Sequence, residues 1–174
     1  PLLCSHLLPV RPGERSRGLG AALKWAQRDA ALAGGLDRIV WTFDPLEHVN
    51  AMLNLTRLGG VSDRYLVDLY GELRDELNAG LPTDRIEVVW HLHAPRVVAR
   101  AGGTGVVEDD GTFGPLLDPG GPGGAIAAPG SAARVRVRAL ENAQRLRRDD
   151  PDAALAWRMH LRSTLRSLFA AGYL

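Results

Sequence analysis

"RPGERSRGLGAALKWAQRDAALAGG", residues 11–35, is the stretch on which the fold turns. Arg15 and Arg17 stand beside Gly18 and Gly20, and an unbroken run of helix formers follows. Leu19, Leu23, Ala26, Ala30 and Ala33 recur at steps of four and three. That spacing predicts a helix over 18–33 whose apolar stripe needs a sheet to cover it. Gly34 and Gly35 supply its stop, and Pro12, Gly13 and Glu14 read as a turn before it. The glycines therefore lie at the helix N-terminus. The first N–H groups there lack intrahelical acceptors, and the helix dipole favours negative charge. Glycine has no Cβ, so a phosphate can approach the backbone closely, with Arg15 and Arg17 adding charge.

The flanking segments extend the reading. "LLCSHLLPV", residues 2–10, is mostly apolar and of strand length, and "RIVWTF" at 38–43 is a second strand. Strand, glycine turn, helix, strand is a βαβ unit with an anion site in its first turn. The Walker lysine followed by Ser or Thr is absent. Asp44 follows the second strand, but the third glycine of a dinucleotide fingerprint is missing.

Arg15-Ser16-Arg17-Gly18-Leu19-Gly20 matches the R-x-x-G-x-G/A signature of the GNAT acyltransferases. "WTFDPLEHVNAMLNLTRLGG" (41–60) resembles the family's next strand and helix. With "RYLVDLYG" (64–71) and "LNAGLPTDRIEVVWHL" (77–92), it resembles a little-characterised bacterial group described as predicted acetyltransferases. The resemblance covers about residues 2–93. It implies an α/β fold, the C-terminal half of a GNAT acyl-coenzyme A N-acyltransferase, with a mixed sheet, flanking helices and a small α/β appendage. It implies that Arg15, Ser16, Arg17, Gly18, Leu19, Gly20 and Ala21 hold the pyrophosphate of acetyl- or another acyl-coenzyme A. Leu8, Pro9 and Val10, on a splayed strand, would hold the pantetheine arm, with the oxyanion contact near Val10. The acceptor is an amine on a small molecule or peptide.

Acyl transfer from a thioester needs a neutral amine, a polarised carbonyl and a protonated leaving thiolate. The family's usual leaving-group tyrosine falls at Leu55 here. Asn50 and Asn54 stand nearby as contacts to the pantetheine or sulfur, although Asn is no general acid. Tyr65 and Tyr70 are substitutes whose alternative role is packing. His6, four residues before Val10, is the candidate base, since its ordinary pKa suits proton transfer. His91 and His93 are expected on one face of a strand, but two ligands do not make a zinc site, so no metal is expected. Asp44 reads as a strand-end turn, and Trp41, Trp90 and Trp157 as core or interface.

Composition bounds the rest. The 21 basic and 20 acidic residues of the 174 nearly cancel, which argues against a nucleic-acid surface. Cys4 is alone, so no internal disulfide forms; this suits the cytoplasm. No apolar run reaches membrane-spanning length. The expected divisions are a GNAT-like half-domain (1–94), a Gly/Pro/Ala-rich linker or loop (95–133) and a partial appendage (134–174). In the appendage, "RVRVRAL" reads as a strand and Glu141–Arg148 as a helix. A helix over 152–171 carries Leu155, Met159, Leu161, Leu165 and Leu168 on its apolar side. The chain starts at Pro1, inside what resembles the family's fourth strand. It reads as an internal fragment, not competent alone, with an open sheet edge that invites aggregation or a homodimer. The alternative functions are a non-catalytic module binding acyl-coenzyme A or another phosphorylated ligand, or an interaction scaffold.

Overall fold

The computed structural model describes residues 1–6, 10–11, 13, 18–71, 80–104, 116–118 and 132–174. The chain runs β1 (Leu2–Cys4), α1 (Leu19–Ala33), β2 (Arg38–Phe43), then α2 (His48–Ala51), which passes directly into a π-helix (Met52–Arg57). It continues with β3 (Val61–Leu66), β4 (Arg85–His91), α3 (Pro95–Ala101), β5 (Leu116–Leu117), β6 (Arg136–Val137), α4 (Ala143–Asp149) and α5 (Pro151–Ala170). The fold is α/β. Its main sheet is mixed and four-stranded, in the order β1-β2-β4-β3. β1 pairs in parallel with β2, Leu2 opposite Arg38 and Cys4 opposite Val40, so β1-α1-β2 is the expected βαβ unit. β5 and β6 form a separate parallel pair. No helix among the described residues is long and apolar enough to cross a membrane.

Two compact units share the chain. The first comprises residues 1–43, 49–62 and 87–107. β2 alternates strictly, burying Ile39, Trp41 and Phe43, and in β4 Val88 and Trp90 do the same. Trp90 is fully buried, 5.2 Å from the Trp25 ring and edge-on to Trp41 at 5.9 Å. Its indole N–H donates to the Leu58 carbonyl at 2.8 Å, which satisfies the polar atom that burial would otherwise leave costly.

α1 occupies the expected residues, but its orientation corrects the expectation for the stripe. Leu19, Leu23, Ala26, Ala30 and Ala33 are all exposed. The buried positions are Lys24 and Ala31. Arg28 explains part of the rotation: its guanidinium donates twice to the Leu92 carbonyl, at 2.9 and 3.2 Å, and so fixes the polar side of the helix inward. Gly34 closes the helix as expected, its N–H donating to Ala30.

The second unit comprises residues 44–48, 63–86 and 108–174. β3 ends at Leu66, and Asp68 then turns the chain with φ 46°. Asp68 Oδ1 accepts from both the N–H and the hydroxyl of Thr83, at 2.9 and 3.1 Å. Asn142 caps α4 by accepting from the Arg145 N–H at 2.8 Å, so this helix starts two residues later than expected. Asp150 caps α5 by accepting from the Ala153 N–H at 2.9 Å, and Pro151 takes the first helical position. α5 buries Ala154, Arg158, Leu161, Thr164 and Leu168, whereas Leu155 and Met159 are exposed. Only Arg136–Val137 of "RVRVRAL" form a strand.

Residues 95–133 were expected as linker or loop, yet they contain α3 and β5. Residues 105–115 and 119–131 lie outside the described residues.

Candidate functional site

The mouth of α1 is where the sequence placed the anion. Gly18 is the N-cap residue and adopts the left-handed conformation, φ 78°. A side chain there would be strained, and nothing within 4 Å would meet its Cβ, so backbone conformation, not space, requires glycine. The Gly18 carbonyl accepts from the Ala22 N–H at 3.1 Å, starting the helix. Glycine brings no side-chain oxygen to the free N–H groups of the first turn, and that turn holds no acidic residue. Leu19 is exposed, while Gly20 and Ala21 are half-buried. Arg15, Ser16 and Arg17 lie outside the described residues, as do Leu8 and Pro9. Val10 is half-buried and His6 exposed.

From the second turn of α1 onward the structure assembles residues that sequence reasoning did not single out. β1 stops at Cys4, and the Ser5 N–H makes one more bond to the Val40 carbonyl at 2.8 Å. β2 continues to Phe43. At this point Lys24, only 3% exposed, reaches from α1 to donate to Ser5 Oγ at 3.0 Å and Gln27 Oε1 at 3.1 Å. Its Nζ sits 3.7 Å from the centre of the Trp41 ring. Gln27 Nε2 also donates to Ser5 Oγ, at 3.1 Å. No carboxylate among the described residues pairs with Lys24. Burial therefore pushes its pKa down to about 8 from the ordinary 10.5. Lys24 lies on the polar side of a helix whose periodicity pointed elsewhere, and that periodicity concealed it.

Asn54 is buried in the π-helix and Asn50 is exposed, so the structure gives the two asparagines different environments. π-helical turns are rare and frequent at functional sites. The Asn54 carbonyl accepts from the Gly60 N–H at 2.9 Å. A Cβ on Gly60 would meet Val88 at 2.5 Å and that carbonyl at 2.9 Å, so glycine is required by close approach. Leu55, at the position of the family's tyrosine, is half-buried.

The second unit holds a network of ion pairs. Arg158, 1% exposed, grips Asp44 with two bonds at 2.7 and 2.8 Å, and Arg85 lies 3.6 Å from the same carboxylate. Arg162, one turn on, grips the fully buried Asp84 with two bonds at 2.8 Å. Asp84 also accepts from the Tyr65 hydroxyl at 2.7 Å and the Asp68 N–H at 3.0 Å. Burial alone would raise the Asp84 pKa; the bonds from Arg162, Tyr65 and Asp68 outweigh it and hold the carboxyl below its usual range. Burial and the Asp84 carboxylate together push the Tyr65 phenol upward. Tyr65 is thereby a committed donor to Asp84 and a poor proton source. Asp44 is a strand-end residue, as expected, and its side chain also accepts from the Leu46 N–H at 2.8 Å. Its arginine partner, 114 residues away, has no local sequence signal.

His91 ends β4 and His93 falls in the following turn, so the two do not share a strand face as expected; both are exposed. Among the described residues, no group of three or more His, Cys, Asp or Glu is placed to hold a metal. Compared with known proteins, the chain matches no family model, no curated protein and no solved structure.

Proposed function

We propose that this chain carries the acyl-coenzyme A-binding half of an N-acyltransferase, moving an acetyl or other acyl group from the thioester to an amine. The observation that carries the reading is the parallel β1-α1-β2 unit, with left-handed Gly18 at the mouth of α1 and β1 ending where β2 runs on. A helix mouth without a side-chain cap suits a pyrophosphate. Under this reading Arg15–Ala21 receive the pyrophosphate, Leu8–Val10 the pantetheine, and His6 takes the acceptor amine's proton. Asn54 and Asn50 lie on the helix that follows β2. The protein acts in the cytoplasm, without a metal.

The test is calorimetry with acetyl-coenzyme A. The wild type binds, and Gly18→Val weakens binding by at least about tenfold, because the new side chain strains the left-handed turn and crowds the backbone. Unchanged affinity in a folded variant overturns the site. A second reading, a binding module without chemistry, draws on Leu55 at the tyrosine position and on Tyr65 being held by Asp84. Coenzyme A binding with no thiol release across a panel of amines selects it.

A further inference from the structure

The acyl-transfer reading leaves the proton donor to the leaving sulfur unassigned. Leu55 cannot supply a proton, and the Tyr65 hydroxyl is engaged by Asp84 at 2.7 Å. The hydroxyl of Ser5 has surroundings suited to the task. Ser5 Oγ accepts from Lys24 Nζ at 3.0 Å and from Gln27 Nε2 at 3.1 Å. A serine oxygen has two lone pairs and one hydrogen. With both lone pairs occupied, the Ser5 O–H is left to donate only. Behind it stands a buried ammonium with no carboxylate partner among the described residues, so the group is polarised toward donation. Ser5 is half-buried, so the cluster reaches the surface through it, and it directly precedes His6, the candidate base.

We propose that Ser5, backed by Lys24 and held by Gln27, is the proton donor to the thiolate that leaves in acyl transfer. The proposal rests on the acyl-coenzyme A reading above. The acceptor amine attacks the thioester carbon, a C–N bond forms and the C–S bond breaks, its electron pair going to sulfur. The Ser5 hydroxyl gives its proton to that sulfur and takes one from Lys24. Lys24 is left as a neutral amine, the form that burial favours. The acceptor amine's own proton goes to His6 or to solvent, and Lys24 regains a proton from solvent through Ser5 once the thiol leaves. Ser5 meets the reacting atom; Lys24 is a positioning and proton-supplying residue behind it. The cluster also explains why a helix would turn a lysine inward while leaving Leu19 and Leu23 outside.

The experiment follows the thiol of bound coenzyme A by its thiolate absorbance across pH, in wild type, Lys24→Met and Ser5→Ala. Calorimetry establishes binding in each. In the wild type the cation favours thiolate, so the bound thiol titrates at least about one unit below that of free coenzyme A, a tenfold change in thiolate fraction. Lys24→Met returns it to the ordinary value, Ser5→Ala shifts it in the same direction, and both lower thiol release by about tenfold or more. Coenzyme A bound equally by all three, with the same thiol titration, overturns the proposal and leaves the binding reading intact. Failure of the wild type to bind coenzyme A overturns both. Ser5→Ala, at a half-buried edge position, decides the matter if Lys24→Met does not fold.

Discussion

Lys24 sits where methionine would be more stable. Its charge meets two neutral oxygens and an aromatic face, and no described carboxylate. Between its folded value of about 8 and the ordinary 10.5, the unfolded chain binds a proton that the folded chain does not. Stability from this group therefore rises with pH across that window, and below pH 8 its full penalty is present. Lys24→Met is expected to raise stability below pH 8 by up to about 3 kcal/mol, less the lost contact with the Trp41 ring. It should also flatten the slope between the two values; urea unfolding at several pH values checks both. Asp84 runs the other way. Its folded pKa is lowered, so its contribution is present above the ordinary carboxylate value of 3.8 and is lost as pH falls through the folded one. Asp84→Asn should cost about 3 kcal/mol at neutral pH, because Arg162 loses its countercharge and an NH2 replaces one of the two oxygens that face donors, and should reduce the acid sensitivity of unfolding. An unchanged acid limb would mean that other carboxylates govern it.

At the scale of elements, the sequence showed what each segment is better than which way it faces. The βαβ order, the glycine at the mouth of α1 and the Gly34 stop were all legible, because each rests on local backbone chemistry. The facing of α1 was not. Its apolar positions are mostly alanines, whose burial gains little, and the Arg28–Leu92 and Lys24–Ser5 bonds that orient it join residues far apart in sequence. α5 repeats the pattern: Arg158 takes a buried position beside Leu161, and Leu155 and Met159 stay outside. Of the candidate site, Gly18 was legible from its neighbours, whereas Ser5, Lys24 and Gln27 become a site only when α1 packs on β1 and β2. The π-helix after β2 offers a direct test of element packing. Gly60→Ala pushes a methyl group against Val88 and the Asn54 carbonyl. It should destabilise the protein by about 1–3 kcal/mol, measured by thermal unfolding. Gly13→Ala, with nothing within 4 Å of its Cβ, should leave stability nearly unchanged.

At the scale of the molecule, several large apolar side chains of the first unit are exposed. Leu2 on β1 is 52% exposed, Leu23 on α1 49%, and Val49 75%. Leu19 and Met52 are also exposed. β1 occupies the end of the strand order, so among the described residues no strand pairs with one side of it. An unpaired strand edge offers a row of N–H and C=O groups to another chain, and exposed leucines add a hydrophobic driving force. Formal charge is only +1, so little net repulsion opposes contact between copies. The purified 174-residue chain is therefore expected to self-associate, with a mass by light scattering that rises with concentration. Replacing Leu19 and Leu23 with Lys tests the helix surface: both positions are exposed, so the fold tolerates the change, and association through α1 is lost. Replacing Cys4, whose N–H faces away from β2, with Pro removes a backbone donor from the open side of β1 and tests the edge. A wild type that stays monomeric at high concentration would show that these surfaces are too small or too well hydrated to bind a second copy. If only Cys4→Pro restores the monomer, the edge strand carries the contact. If only the lysine variant does, the outward stripe of α1 carries it, and the helix that the sequence pattern turned toward the sheet serves its apolar face to a neighbour instead.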